Sequence, residues 1–313
     1  MRFAVIGRNE TLFAAAEHMM ALGHEVGLVI TAAAAPEYTR SADDYRALAV
    51  RHNAPFFATP RLHNMAAQIA ALPPMMVALS MNYTSLIPQD IIDRFPLGIL
   101  NAHGGDLPRY RGNACQAWAI LNGEDRIGVC IHRMIGRALD SGPIIARDYF
   151  PLQVTTTITQ VYSWLHHRIP LLFADAVAAL THDAHFVLAQ QSEDPVDALR
   201  CYPLQPSDGA IDWNQDAVMI LRRINACNRP YAGAYCGYAG GDKLIIWAAE
   251  PVVDQERFLA VPGQTVRVGD ADIDVATGRG KLRLQQIEYR GVIMPPAQII
   301  RSVRVRLEHG RNV

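Results

Sequence analysis

Four short apolar runs in the first hundred residues, separated by stretches of different periodicity, constrain this chain more than any other feature. They are 2–6 (RFAVI, ending at Gly7), 25–30 (EVGLVI), 75–80 (MMVALS) and 97–101 (LGILN). Runs this short and this apolar read as strands buried on both faces. Between the first two, residues 10–22 have helical spacing and stop at Gly23. A second helix is predicted over 41–52, with Ser41 as N-cap and Asp43 and Asp44 in the first turn. The alternation gives an α/β fold, a Rossmann-like, mainly parallel sheet with helices on both faces. Such a sheet takes its ligand at the carboxyl ends of its strands, so chemistry is sought after residues 6, 80 and 101. The loop after the first strand, GRNETL, is not G-x-G-x-x-G, so the dinucleotide fingerprint is absent.

The second half follows a different pattern. A helix is predicted over 155–181. The polar, proline-bearing stretch around 190–210 then separates it from short alternating segments at 234–238, 243–248, 264–268, 271–276 and 281–288, preceded by a helix at 215–227. Glycines punctuate these segments, which points to a small open β-barrel, OB-like in type. The predicted organisation of the 313 residues is a catalytic domain over 1–190, a linker over 191–208 and a barrel-like domain over 209–313.

Charge and residue usage narrow the function classes. The net charge is −1, with 15 arginines against 18 acids up to residue 200 and 14 basic against 12 acidic residues beyond it. Neither part carries a field that would grip nucleic acid. The only lysines are Lys243 and Lys281, which excludes a phosphate-loop or Schiff-base lysine from the first 200 residues. The five cysteines are scattered and form no C-x-x-C, so neither a disulfide framework nor a thiolate metal site is expected. No apolar run reaches the ~18 residues of a membrane span. The opening MRFAVIG reads as a strand and not as a signal peptide, so a cytoplasmic, reduced protein is expected.

The densest chemistry lies in 98–124, GILNAHGGDLPRYRGNACQAWAILNGE. In an extended backbone Asn101 and His103 point to one side. An amide donor beside an imidazole suits acyl transfer, where the amide and a protonated imidazole would both donate to the oxyanion and the imidazole would also move a proton. The same pair equally suits a turn cap packed against a ring, and the spacing leaves both readings open. Arg109 and Arg111 would bind a carboxylate or phosphate, or lie solvated on a loop. Further on, Asp140 precedes Ser141-Gly142, either as a turn residue or as the carboxylate that orients the histidine. The adjacent His166 and His167 diverge on a helix and read as structural.

The order Asn101-x-His103, then LPRYRG (107–112), then Leu139-Asp140-Ser141-Gly142 resembles the folate-dependent formyltransferases. The resemblance runs over nearly the whole chain, and 209–247 is similar to the opening of the C-terminal barrel of the transfer-RNA and polymyxin-type members. It implies formyl transfer from 10-formyltetrahydrofolate, without a metal, to a primary amine. Asn101, His103 and Asp140 match the family's catalytic residues. The matching folate loop would place Tyr83, Leu86, Ile87, Pro88 and Leu139 on the pterin. Arg8, Asn9, Arg109, Tyr110 and Arg111, on loops at the sheet's carboxyl edge, would meet the acceptor. One departure stands out: where the family commonly has His-x-Ser-Leu-Leu-Pro, this chain has His103-Gly104-Gly105-Asp106-Leu107-Pro108. The hydroxyl is lost, and Asp106 would either favour a cationic or hydroxylated acceptor or cap the turn. His132-Arg133-Met134 and Arg229–Tyr235 (RPYAGAY) look closer to the polymyxin-type sugar enzyme, which makes a nucleotide-linked amino sugar the first expectation for the acceptor. Methionyl-tRNA, and an amino-acid-like amine of natural-product biosynthesis, are the alternatives. A near-neutral C-terminal domain is left to pack on the catalytic domain or to mediate assembly, as in a homodimer.

Overall fold

The computed structural model describes residues 1–183 and 185–310. They divide into two compact units, one of Met1–Cys115, Ile127–Phe150 and Tyr162–Cys201, the other of Gln116–Arg126, Pro151–Val161 and the residues from Tyr202 on. The elements, in chain order, are β1 (Arg2–Gly7), α1 (Glu10–Ala21), β2 (Glu25–Thr31), α2 (Ala42–Arg51), β3 (Phe56–Ala58), α3 (Ala66–Ala70), β4 (Val77–Met81), α4 (Gln89–Ile92), β5 (Ile99–His103), β6 (Arg111–Gly112), α5 (Cys115–Asn122), β7 (Arg126–Arg133), β8 (Ile144–Pro151), α6 (Ile158–His182), β9 (Arg200–Cys201), α7 (Ala217–Ala226), β10 (Ala234–Tyr238), β11 (Asp242–Pro251), β12 (Thr265–Val268), β13 (Ile273–Ala276), β14 (Lys281–Tyr289) and β15 (Val292–Met294).

The first unit is built on a seven-stranded sheet of order β3-β2-β1-β4-β5-β7-β8. The strands from β3 to β5 run parallel, and β7 returns antiparallel to β5. Period-two alternation sends Ala4, Ile6, Leu28, Ile30 and Ile99 to one face, where they pack with Ile69 of α3 and Ile91 and Ile92 of α4. Phe3, Val5, Val29, Leu79 and Leu100 point to the other face and are fully buried, with α1 and α2 packed against the central strands. Ser41 caps α2 as expected, in a reciprocal box with Asp44.

The second unit folds as an antiparallel sheet of order β10-β11-β14-β13-β12, with β15 on β14. Its two edges meet through the last described residues. Val305 and Leu307 exchange backbone hydrogen bonds with Thr265 and Gly263 on the β12 side, while Glu308 exchanges a pair with Gly237 of β10. The sheet therefore curls into the expected barrel. Trp213 and Ile220, Leu221 and Ile224 of α7 fill its core together with Ile246 and Leu284. Within the barrel sheet the carboxylate of Asp274, 3% exposed, accepts from Nε of Arg267 at 2.7 Å and Nε of Arg283 at 2.8 Å.

The expected linker, 191–208, is partly built into structure. Arg200–Cys201 pairs in parallel with β6, because the backbone of 111–113 and 199–201 satisfies its hydrogen bonds mutually. Pro206–Gly209 forms a short 3₁₀ turn after it, with Gln205 N–H donating to Asp208. Among the described residues no helix is long and apolar enough to cross a membrane.

Candidate active site

The strand predicted to end at Asn101 runs on through His103, so both side chains lie on one side of β5 at its carboxyl end. Antiparallel pairing with β7 sets Asn101 opposite His132 and His103 opposite Cys130. His132, 1% exposed, comes from a distant strand to stand 3.1 Å through Nε2 from Nδ2 of Asn101. The HRM tripeptide by itself assigns His132 no role; only the β5–β7 register brings it to the site.

Asp140 reaches the same point from the β7–β8 loop. Its Oδ2 lies 3.5 Å from Nδ1 of His103, and its Oδ1 lies 3.7 Å from Nε2 of His132. The loop is held by a clamp that the sequence did not announce. Gln191 donates through Nε2 to the carbonyls of Asp140 (2.9 Å) and Gly142 (2.7 Å), while its Oε1 accepts from Arg111 Nη2 at 2.7 Å. The Gly112 N–H donates to Asp140 Oδ2 at 2.9 Å. Asp140 itself sits at φ 48°, a left-handed conformation that aspartate tolerates better than most residues. Gly142 is required beside it, since a Cβ there would stand 1.7 Å from the Arg133 carbonyl oxygen.

The hydrogen bonds fix the protonation of His103. Its Nε2 is 2.6 Å from the Tyr110 carbonyl, which can only accept, so Nε2 carries the proton and Nδ1 presents a lone pair toward Asp140. The thiol of Cys115 donates to the same carbonyl at 2.9 Å. This close approach needs Gly105, where a Cβ would lie 2.3 Å from Tyr110 O and 2.7 Å from His103 Nε2. Burial pushes the His103 imidazole below its ordinary pKa, which the charge of Asp140 and the Tyr110 bond oppose without reversing. Burial would raise Asp140, but His103, His132 and the Gly112 N–H outweigh it and hold the carboxyl at about 2. The pair at neutral pH is thus a carboxylate facing a neutral imidazole, a base whose conjugate acid has a counter-ion waiting.

Several of the predicted binding residues have partners within the protein. Asn9 is buried as the N-cap of α1, accepting from the Leu12 N–H at 2.9 Å, so its side chain is committed to the helix. Ile87 is 1% exposed within the core under the sheet. The Tyr110 ring is buried, and this residue serves the site through its carbonyl. Arg111 secures Gln191, and Arg8 donates to the carbonyls of Asn82 (2.8 Å) and Ala33 (2.7 Å). Arg109 is exposed, over the Tyr110 ring. Leu86 is 50% exposed, Pro88 and Leu139 are partly exposed, and Tyr83 donates its hydroxyl to the Thr59 carbonyl at 2.6 Å. The Asp106 carboxylate is engaged on one side, its Oδ1 accepting from Arg147 Nη1 at 2.9 Å and from the Tyr149 hydroxyl at 3.1 Å. Among the described residues no group of three or more His, Cys, Asp or Glu is arranged to hold a metal.

Comparison with known proteins gives this geometry its setting. The chain overlays HypX from Aquifex aeolicus, solved with tetrahydrofolic acid, at TM-score 0.63 and 18% identity over 96% of this chain. It spans about half the length of HypX, 46%. It overlays WlaRD, a sugar 3N-formyltransferase solved in the presence of dTDP and 5-N-formyl-THF, at TM-score 0.66 and 16% identity, covering 91% of this chain and 97% of that one. An N-formyltransferase from Helicobacter canadensis, solved with folinic acid and dTDP-3-aminofucose, matches at TM-score 0.64 and 16% identity, covering 90% and 98%. At these identities the likeness is one of fold. Residues 1–177 match the formyl transferase family and residues 203–304 match the formyl transferase C-terminal domain, so the chain belongs to the formyl transferase family.

Proposed function

We propose that this protein transfers a formyl group from 10-formyltetrahydrofolate to the primary amine of a nucleotide-linked amino sugar. The observation that carries the chemistry is the neutral Nδ1 of His103 set 3.5 Å from an ionised Asp140, with the Asn101 amide on the same side of β5. The exposed Leu86 and the partly exposed Leu139 offer apolar surface for a flat heterocycle at the sheet's carboxyl edge, beside Asp140. The folate supplies a formyl carbon already bonded to nitrogen.

The residues then act in sequence. Asn101 donates an N–H to the formyl oxygen as the amine attacks and negative charge gathers there; removing one such donor typically costs about 10²–10³ in rate. His103 accepts the proton that the attacking nitrogen sheds, at Nδ1, and Asp140 stabilises the imidazolium. His103 returns that proton to the departing folate nitrogen as the old carbon–nitrogen bond breaks. Formamide and tetrahydrofolate are the products, and the enzyme regains its starting protonation. This differs from an assignment in which His103 donates to the oxyanion, because its Nε2–H is taken by Tyr110.

The sugar acceptor is supported by the likeness to WlaRD and to the Helicobacter canadensis enzyme, and by the charge pattern. A transfer-RNA acceptor held at six or more phosphates would lose affinity by roughly 10³-fold between 50 and 200 mM salt. The test is formylation of 3-amino and 4-amino nucleotide sugars beside initiator methionyl-tRNA, with tetrahydrofolate release followed at both salt levels. We expect sugar formylation with shallow salt dependence. Efficient, salt-steep formylation of the tRNA would replace the sugar, and no transfer to any amine would remove the activity itself.

A further inference from the structure

His132 is buried at the centre of the site and takes no part in the proton path just described. Its Nε2 stands 3.1 Å from Asn101 Nδ2, and its Nδ1 is 3.3 Å from the carbonyl of Arg133. Its other polar neighbours are Asp140, with Oδ1 3.7 Å from Nε2, and His103, with ring centroids 6.4 Å apart. Two arrangements of the neutral ring satisfy this set. In one, Nε2 accepts an N–H from Asn101 and the ring proton sits on Nδ1, facing the Arg133 carbonyl. In the other, Nε2 carries the proton and Asn101 must turn its oxygen toward it. The second puts an amide oxygen on the side where the Asp140 carboxylate and the developing oxyanion lie, three acceptors served there by the single His132 Nε2–H, and takes the amide N–H away from the formyl oxygen. The first keeps the amide nitrogen on that side. At 3.7 Å Asp140 is a longer partner for Nε2 than Asn101 is at 3.1 Å, so the amide makes the nearer hydrogen bond.

We propose that His132 is a positioning residue for the transfer: by accepting one N–H of Asn101 at Nε2, it fixes the amide so that the second N–H is presented to the formyl oxygen. The inference rests on the formyl-transfer reading and adds to it the residue that chooses which end of Asn101 faces the chemistry. An asparagine without this partner would sample both orientations, and only one of them lowers the barrier.

The experiment compares His132→Leu, which removes the acceptor, with His132→Gln, whose Oε1 can reach the same proton. His132→Leu should lower kcat about 10-fold or more while the KM values for formyl donor and acceptor stay within about twofold, and His132→Gln should recover most of the loss. In an Asn101→Ala background His132→Leu should cost less than about twofold, because its effect runs through that amide. Wild-type kcat in His132→Leu, a loss confined to KM, equal impairment by Leu and Gln, or full additivity with Asn101→Ala would each overturn the proposal. A second arm needs neither a variant nor turnover: nitrogen-15 NMR of the wild-type protein should report His132 as the Nδ1–H tautomer, and an Nε2–H tautomer overturns the assignment. If wild type transfers formyl to no amine, the activity reading fails, and the tautomer still decides whether His132 orients Asn101.

Discussion

Two largely buried carboxylates, Asp140 in the first unit and Asp274 in the C-terminal barrel, are held in opposite ways. Asp274 lies between two guanidiniums, Arg267 and Arg283, which keep their charge at any pH a protein survives, and its carboxyl is held below the usual range although burial pushes the other way. Asp140 faces two imidazoles and one backbone N–H, and stands off from both rings by 3.5 Å and 3.7 Å. Permanent partners at hydrogen-bond distance make a strut. Titratable partners held slightly too far make a site that gains most when a proton arrives between them. The same side chain is thus structural in one unit and reactive in the other, and the difference lies in the partners.

Exchanging the two carboxylates for amides would break this comparison most sharply. Asp140→Asn should lower kcat by about 10² or more at neutral pH, since the imidazolium loses its counter-ion. Asp274→Asn should leave kcat within about twofold. Steady-state kinetics on the two folded variants decides, and equal losses would remove the distinction. Stability should reverse the ranking of interest. Asp274→Ala removes the carboxylate shared by two arginines, each roughly a third exposed and each left with Asp272, and should cost about 1 kcal/mol by urea denaturation without altering kcat in the protein that stays folded. The smallest effect is on the acid limb of activity. His103 must be neutral to accept a proton, and its pKa lies below the ordinary imidazole value, so activity should persist below about pH 6.5. Asp140 favours the imidazolium, so Asp140→Asn should move the His103 titration to lower pH, while Asp274→Asn leaves it in place; NMR titration of the ring checks both. A shift to higher pH in Asp140→Asn would mean that the carboxylate is not the group stabilising the charged ring.

The strand alternation, the Ser41 cap and the barrel segments were readable because each is a local pattern. Asn101, His103 and Asp140 were readable for a different reason: their order resembles a family's. His132 and Gln191 were not readable, since what they do depends on an antiparallel register and on a return of the chain from beyond α6, neither of which leaves a local mark. Asn9, Ile87 and Arg111 show the converse. Each lies where a ligand would be sought, yet Asn9 serves a helix end, Ile87 the core and Arg111 the Gln191 clamp, because backbone and packing demands are met by whatever side chain is nearest. The closing residues 305–308 escaped for want of alternation, their partners being two different strands.

Those closing residues have a practical consequence for anyone who trims the chain. The match to the family's C-terminal domain ends at residue 304, one position before Val305 begins to pair. A truncation at that boundary would strip the cover from both β10 and the β12 side at once, leaving two rows of unsatisfied N–H and C=O groups as templates for other chains. Such a fragment would keep every residue of the first unit and still be prone to self-association through the barrel, so poor solubility there would say nothing about the chemistry at His103.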